Sequence, residues 1–413
     1  MFRHIVFRNF RDPVWSKVTT LGTTLFLIFL ADAILSFWLP NYMQEVLGSA
    51  FLMGLFLSFS SVVGIAVDMF LPQIIKGITV HNLLTLGIVS GGLFALLLLY
   101  STWIPAAFVF LIAMAVWGIY YEFFGFAEQQ FVADATPLRM HSAVWAILGI
   151  FKNLAYFLGP LMAGYLVLGG ERMPVVGAMI FSTCGFITLV ASKGVHKRPV
   201  KIDTEEVSLR KEIGHWRTLF GRIWPVLTLS MLMGLVDATY WTTGTVLTAK
   251  LAQKNILGSL FLPAYMLPTL FVGIVIAKKK IYAGKKKMAE LAFLASSIIL
   301  LTLVFSNSVV VMVVIVFASS TFLSASYPLV DGVYSDIVAR MGRERRHLIG
   351  LTRSSLSFAY IIGPALAGGL ASLTGEINTF VIVGFVGAVV SAILLVTTPK
   401  KLKLPQEDIH KWD

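Results

Sequence analysis

Twelve long apolar stretches dominate the sequence, and each is long enough to cross a bilayer as a helix. A hydrocarbon core about 30 Å thick needs roughly 20 apolar residues per helix. With 57% hydrophobic and 13% charged residues, the 413-residue chain holds more apolar surface than a soluble core can bury. No alternating strand pattern competes with these runs, so the sequence predicts an all-α integral membrane protein with twelve transmembrane helices. The stretches lie at residues 18–40, 50–74, 80–101, 103–131, 142–168, 173–192, 220–247, 255–277, 287–306, 309–337, 347–373 and 376–398.

The distribution of positive charge predicts the orientation of the chain. If the N-terminus is cytoplasmic, the external loops hold only Arg172, Lys250 and Lys254 of the 33 lysines and arginines. This positive-inside pattern predicts a multi-pass protein of the cell (inner) membrane with both termini cytoplasmic. The net charge of +12 is then explained by orientation and by anionic lipid headgroups, without a nucleic-acid partner. The first span is too long for a signal peptide and lacks a cleavage site, so we expect it to be retained.

An internal repeat divides the chain into two halves of six spans. Four segments recur in the same order at offsets of 204 to 210 residues: LADA with LVDA, LGS with LGS, VGI with VGI, and AYFLGPLMAGYL with AYIIGPALAGGL, beginning at residues 30, 47, 63 and 155 in the first half. A parallel duplication is the simplest explanation. We therefore predict an N-terminal six-helix bundle at 1–192, a cytoplasmic linker at 193–219, and a C-terminal bundle with a short cytoplasmic tail at 220–413. At the end of this linker, Trp216 and Phe220 are expected to seat a short amphipathic helix on the inner membrane surface, and a disordered charged linker is the alternative.

The same residues resemble the major facilitator superfamily of secondary transporters over essentially the whole chain. Gly64, Asp68 and Lys76 resemble a degraded form of its signature between spans two and three, and KKKIYAGKKK at 278–287 resembles the counterpart in the second half. AYFLGPLMAG at 155–164 resembles the Gly-Pro signature of the antiporters. The resemblance implies two pseudo-symmetric bundles with a binding cavity near the midplane. LPQ at 71–73 replaces the usual Gly and Arg pair, and span four lacks an arginine, which weakens the assignment of proton coupling.

Two aspartates in apolar surroundings are the leading candidates for proton coupling or substrate binding. Asp32 lies fifteen residues beyond Lys17, and Asp237 lies fifteen beyond Arg222. A rise of 1.5 Å per residue places both about 22 Å from the inner face. An ionised aspartate at a helix centre costs about 2.5 to 3.5 kcal/mol on insertion scales, so each side chain should face a cavity or a partner. We expect them to face each other across the central cavity, either as proton carriers or as hydrogen-bonded helix contacts.

Other buried charges form a second pattern. Glu122 and Lys152 lie about equally far from one cytoplasmic turn, and Asp331 and Arg353 lie equally far from another, which predicts two ion pairs. The pairs are either structural clamps or groups of the transport cavity. Glu128, Asp134 and Asp336 lie closer to the cytoplasmic surface and are expected to contact the basic loops, and Asp68 is expected in the same gating layer.

Aromatic residues beside the acids, and two Gly-Pro pairs, complete the candidate site. Aromatic faces next to carboxylates can hold an organic cation, but near the outer headgroups they are also ordinary interfacial anchors. The Gly-Pro pairs serve either as packing notches or as gating hinges. The aromatic candidates are Trp38, Tyr121, Tyr240 and Trp241, and the gating candidates besides Asp68 are Gly159, Pro160, Gly363 and Pro364.

These features favour a secondary active transporter over an enzyme. The sequence has no HExxH, no G-x-S-x-G, no phosphate-binding loop and no Cys or His cluster, and its single Cys184 can form no internal disulfide. We predict a monomer without cofactor or metal that works by alternating access, with proton-coupled export of an amphipathic or cationic small molecule as the leading interpretation. Uptake of an organic anion, flipping of a lipid, and a non-transporting receptor remain alternatives.

Overall fold

The computed structural model describes residues 13–74, 78–135, 141–191, 209–278, 284–338 and 345–399, with only the backbone at several helix ends. Twelve helices long and apolar enough to cross a membrane lie in these ranges, as the sequence predicts. The first six are α1 Pro13–Leu47, α2 Ala50–Ile74, α3 Val80–Ser101, α4 Ala107–Ala135, α5 His141–Val167 and α6 Met173–Ala191. The last four are α9 Lys285–Leu301, α10 Val309–Val338, α11 Arg345–Thr374 and α12 Glu376–Thr397.

The remaining two helices, α7 and α8, are irregular. Helix α7 runs as an α-helix over Leu209–Thr239, widens into one π-helical turn at Tyr240–Gly244, and continues as Thr245–Lys254. Helix α8 alternates 3₁₀ turns at Ile256–Leu260 and Leu267–Leu270 with short α-helices at Phe261–Met266 and Val272–Lys278. Pro263 and Pro268 fall inside α8, where each removes a backbone donor and interrupts the ladder of hydrogen bonds.

Three predicted helices have wrong boundaries. The first helix runs over Pro13–Leu47 instead of 18–40. The fourth span begins at Ala107 instead of 103, because Pro105 restricts the preceding backbone and keeps Trp103 and Ile104 outside the helix. The seventh helix begins at Leu209, inside the segment predicted as a linker. Trp216 and Phe220 therefore belong to the same helix that enters the membrane, and they do not form a separate surface helix.

Packing contacts group the chain into two compact units. The first unit contains residues 1–48 and 59–204, and the second contains 49–58 and 205–413. In the first unit α1 packs against α5 and α6, and α3 packs against α4; in the second, α12 and α10 flank α9, and α7 packs against α11. The boundary near residue 204 lies outside the described ranges, so the predicted linker stays a prediction over most of its length.

Burial distinguishes the helices within the first unit. Leu21, Leu25 and Ile34 of α1 are buried, whereas Val89 of α3 and Ile187 of α6 are each 59% exposed. Large apolar side chains exposed along the lengths of several helices are expected where the surrounding solvent is a bilayer. Helix α1 is thus the buried helix of this comparison, and Asp32 in its middle lies inside the protein and away from the lipid.

Candidate functional site

Asp32 lies in the middle of α1 and is held by three hydrogen bonds within the first unit. The indole N–H of Trp117 donates to Oδ1 over 2.7 Å, and the hydroxyls of Tyr121 and Tyr156 donate to Oδ2 over 2.7 and 2.8 Å. The residue is only 4% exposed. Three donors supply the hydrogen bonds that the carboxylate loses when it leaves water, which is the condition for keeping a charged group in hydrocarbon surroundings.

The local sequence of α4 explains this arrangement. Trp117 and Tyr121 are four residues apart, so their side chains lie on one face of the helix. The ring of Phe94 stacks on the Trp117 indole at 5.4 Å with an interplanar angle of 8°. The hydroxyls of Tyr121 and Tyr156 lie 3.4 Å apart. These contacts do not involve Asp32, so they hold the three donor side chains in position independently of the carboxylate.

Asp237 is held by two tyrosines within the second unit. Tyr265 of α8 donates to Oδ1 and Tyr360 of α11 donates to Oδ2. The aspartate itself is half-buried. The ring of Tyr240, at the start of the π-helical turn, stacks on Tyr265 with centroids 3.8 Å apart and so supports one of the two donors.

Within each unit, the repeated segment that contains the aspartate contacts the repeated segment that contains the Gly-Pro pair. Tyr156 and Tyr360 hold the same place in AYFLGP and AYIIGP, and they donate to the two repeat-related aspartates. The residue after each aspartate is alanine, and it packs on the glycine three residues after each tyrosine. A Cβ on Gly159 would lie 2.3 Å from the Cβ of Ala33.

The second unit repeats this close approach. A Cβ on Gly363 would lie 2.6 Å from the Cβ of Ala238. One contact, Asp-Ala against Tyr-x-x-Gly-Pro, therefore joins α1 to α5 and α7 to α11. It requires glycine at both positions, as the packing-notch interpretation expects, while the hinge interpretation of Pro160 and Pro364, both inside their helices, stays a prediction.

Lys152 forms an ion pair, but with a different partner from the one predicted. Its ammonium lies 3.1 Å from both carboxylate oxygens of Glu128 and 4.6 Å from the centre of the Phe29 ring. The sequence assigned Glu122 as partner from equal depth, and it placed Glu128 among the basic loops. Glu128 is instead 2% exposed inside the first unit. The carboxylate of Glu122 faces the backbone of Gly64, with Oε1 3.1 Å from the position of a Cβ there.

The other predicted charge contacts are only partly described. Asp331 is exposed on α10, while the side chains of Arg353, Asp68 and Asp134 lie outside the described residues. Asp336 contacts the basic segment as expected, since the Lys285 ammonium lies 2.8 Å from its carboxylate.

The aromatic candidates fall into different environments. Tyr121 and Tyr240 belong to the two aspartate clusters. Trp38 is 5% exposed and stacks on Tyr42 at 4.6 Å, so it lies inside the first unit and is not an anchor at the lipid surface. Trp241 is half-buried.

Sequence reasoning missed four of the five donors to the aspartates: Trp117, Tyr156, Tyr265 and Tyr360. The signal for two of them was present, because each tyrosine of the AY pair occurs in the longest repeated segment. No comparable signal marked Trp117 or Tyr265. Within the described ranges, no group of three or more His, Cys, Asp or Glu residues is arranged to hold a metal ion.

Comparisons with known proteins agree with this fold. Residues 240–411 match the family model of the Major Facilitator Superfamily. No curated protein sequence matches the chain. A POT family transporter in complex with a thioalcohol-conjugated peptide is similar in structure, with a TM-score of 0.71, 14% identity, and coverage of 93% of this chain and 96% of that one.

Two other solved structures are similar over the same extent. The human organic anion transporter MFSD10 gives a TM-score of 0.67 at 17% identity, with 93% of this chain and 100% of that chain covered. The nucleoside transporter NupG, in a mutant form, gives 0.71 at 13% identity with the same coverage. The second half of the chain therefore resembles the Major Facilitator Superfamily, and the chain shares its fold with solved membrane transporters.

Proposed function

We propose that the chain is a proton-coupled secondary transporter that exports an amphipathic or cationic compound by alternating access. The observation that carries this proposal is the pair of repeat-related carboxylates inside helices, each bound by tyrosine hydroxyls. A carboxylate in such surroundings can be either charged or neutral, and its surroundings decide how much free energy separates the two states. If that free energy differs between the inward-facing and outward-facing states, binding and release of a proton are linked to transport.

Asp237 is the better candidate for direct contact with the substrate. It is half-buried, whereas Asp32 is 4% exposed and carries three donors. The helices beside Asp237 are irregular, and in secondary transporters non-helical backbone within the membrane is tolerated where it is buried in protein or lines a cavity. The stacked rings of Tyr240 and Tyr265 add aromatic surface next to the carboxylate, which suits an aromatic or alkylated cation.

A second candidate function is uptake of an organic anion. Lys152 favours it, because its side chain is 31% exposed although its partner Glu128 is 3% exposed. The similarity to a solved organic anion transporter is consistent with it. The double contact with Glu128 and the Phe29 ring counts against it, because an anion would have to displace a buried carboxylate.

Proteoliposome transport with an imposed pH gradient tests the proposal. Ethidium, an aromatic cation, and fluorescein, an organic anion, serve as probes for native protein, Asp32→Asn and Asp237→Asn. The matched control is Glu45→Gln, which removes an exposed carboxylate from the same helix as Asp32. We expect the gradient to concentrate ethidium with the native chain and the control, and we expect Asp237→Asn to abolish this accumulation.

Normal accumulation of ethidium by both aspartate variants would overturn the carrier role. Transport of ethidium that does not respond to the pH gradient would overturn proton coupling. Accumulation of fluorescein alone, lost on Lys152→Gln, would replace the proposal with the organic-anion function.

A further inference from the structure

A small pocket with space of about 20 Å³ lies beside Asp32, between helices of the first unit, and is partly open to the outside. It is formed by α1, α3, α4 and α6, away from the face of α1 that packs on Gly159 of α5. A cavity needs about 10 to 15 Å³ to hold one water molecule, so this one is large enough for a single water. Its lining includes Asp32, Gly91, Tyr120 and Ser182.

Polar residues with unused hydrogen-bonding capacity line this pocket. Oδ2 of Asp32 accepts two hydrogen bonds, but Oδ1 accepts one, from Trp117, so it has a lone pair to offer. The buried hydroxyl of Ser36, one turn further along α1, lies close to the same carboxylate and makes no hydrogen bond of normal geometry within the described residues. Tyr120 is 3% exposed, and its hydroxyl has no hydrogen-bond partner among the described residues. Burial of a hydroxyl without a partner is unfavourable, and a bound water that touches it would recover the lost hydrogen bond. Ser182 adds a third polar side chain to the wall.

The direct partners of Asp32 are unsuited to deliver a proton to it. The indole N–H of Trp117 only donates hydrogen bonds, and tyrosine hydroxyls, with an ordinary pKa of about 10, keep their protons at neutral pH. The titratable or charged groups that interact with Asp32 or Tyr120 are Tyr121 and Glu128 on α4 and Tyr156 on α5, and Glu128 is held in an ion pair by Lys152. Among the residues that line the cavity, α3 and α6 contribute no acid or base. A mobile proton carrier is therefore needed.

We propose that the cavity is a binding site for one water molecule, held by Asp32 and Tyr120, through which the carboxyl of Asp32 exchanges its proton. In the uptake step the O–H bond of a transient hydronium breaks, the proton forms a new O–H bond with Oδ1, and a neutral water remains. Release is the reverse. This proposal rests on the proposed function, since it assigns the route by which one of the two carriers is loaded.

Two adjacent glycines of α3 provide a matched pair of test variants. A Cβ on Gly91 would lie 3.0 Å from two ring carbons of Tyr120, so Gly91→Ala pushes that ring and narrows the cavity. A Cβ on Gly92 meets nothing within 4 Å, so Gly92→Ala makes the same chemical change in open space. Tyr120→Phe removes the hydroxyl without adding volume and tests the site independently of packing.

Infrared spectroscopy of the purified full chain supplies two measurements. The first is a water O–H stretch that shifts in H₂¹⁸O; the second is the rate at which the Asp32 carboxyl band, identified by its loss in Asp32→Asn, appears after a drop in pH. We expect native protein and Gly92→Ala to show both signals. Gly91→Ala and Tyr120→Phe should lose the ¹⁸O-sensitive band and protonate Asp32 about tenfold more slowly, a change of about 1.4 kcal/mol in the barrier.

The outcomes separate this inference from the proposed function. An unchanged water band and an unchanged rate in both Gly91→Ala and Tyr120→Phe would overturn the water site while leaving Asp32 as a carrier. If the native chain shows no pH-dependent Asp32 band at all, the carrier role of Asp32 and the water site are both wrong.

Discussion

The two aspartate clusters occupy equivalent places in the repeat but are built differently. Asp32 receives three donors, is 4% exposed, and lies among regular helices. Asp237 receives two donors and is half-buried; it lies on α7, three residues before the π-helical turn, and contacts the interrupted α8 through Tyr265. Both keep the contact of Asp-Ala with Tyr-x-x-Gly-Pro.

From this difference we expect the two halves of the repeat to have different roles. The shared contact fixes how one pair of helices packs in each half, and the surroundings decide how freely the carboxylate can change partners. Irregular backbone occurs at functional sites because its hydrogen bonds are easily rearranged. We therefore interpret the first cluster as the rigid member and the second as the adaptable one, and the following predictions compare them.

The largest effect on stability should come from the two glycines. The Cβ of Gly159→Ala would lie 2.3 Å from the Cβ of Ala33 and 2.9 Å from its carbonyl carbon, whereas that of Gly363→Ala would meet the Cβ of Ala238 at 2.6 Å. Overpacking a tight contact costs about 1 to 3 kcal/mol, so we expect about 3 kcal/mol for Gly159→Ala and about 1 for Gly363→Ala. Unfolding in SDS measures both.

Gly164→Ala is the control for this comparison, because it changes the same helix as Gly159 where nothing lies within 4 Å of the new Cβ. It should leave the free energy of unfolding unchanged. A greater loss for Gly363→Ala than for Gly159→Ala would show that the second unit is the more tightly packed one and would reverse the comparison.

The next effect concerns the carboxylates themselves. Asp32→Asn replaces one acceptor oxygen by an NH₂ group that faces donors, and it weakens three charge-assisted hydrogen bonds, whereas Asp237→Asn weakens two. We expect the free energy of unfolding to fall by about 2 kcal/mol for Asp32→Asn and by about 1 for Asp237→Asn, while the transport defect is greater for Asp237→Asn. Equal losses of stability would contradict the rigid and adaptable assignment.

Removal of the repeat-related tyrosine hydroxyls should lower the free energy of unfolding by less than the aspartate variants do. The larger loss should now occur in the second cluster. Tyr156→Phe leaves Asp32 with two donors, but Tyr360→Phe leaves Asp237 with one. We therefore expect a loss of about 0.5 kcal/mol for Tyr156→Phe and about 1 for Tyr360→Phe. Thermal denaturation in detergent, together with ethidium accumulation, measures the two effects. A larger effect of Tyr156→Phe would mean that the three donors to Asp32 do not substitute for one another.

The sequence predicted the helices well because hydropathy and length are enough to identify membrane spans. It also located both aspartates and the repeated segments that meet them. Pro263 and Pro268 are local signals for the interruptions of α8, but the apolar run around them is continuous and was therefore predicted as one regular helix. The π-helical turn at Tyr240–Gly244 has no comparable local signal.

Contacts between helices were harder to predict than the helices. Equal depth selected Glu122 for Lys152, but depth leaves the direction of a side chain open. Glu122 and Glu128 are six residues apart, more than one and a half turns, so they point to different sides of α4. Trp117 and Tyr265 lie within apolar runs, where composition does not show which aromatic residue faces an acid.

The smallest effect should come from Tyr240, whose hydroxyl has no hydrogen-bond partner among the described residues and is buried, with 1% of the residue exposed. Tyr240→Phe keeps the stack on Tyr265 and removes a polar group that is not satisfied there. We expect the free energy of unfolding to stay within about 0.5 kcal/mol of the native value or to rise slightly. Tyr265→Phe is the matched comparison, because the same loss of one oxygen removes a donor to Asp237. If Tyr240→Phe destabilises the chain as much as Tyr265→Phe does, the hydroxyl of Tyr240 takes part in the second cluster. Asp237 would then be stabilised by α7 as well as by its two donors on α8 and α11.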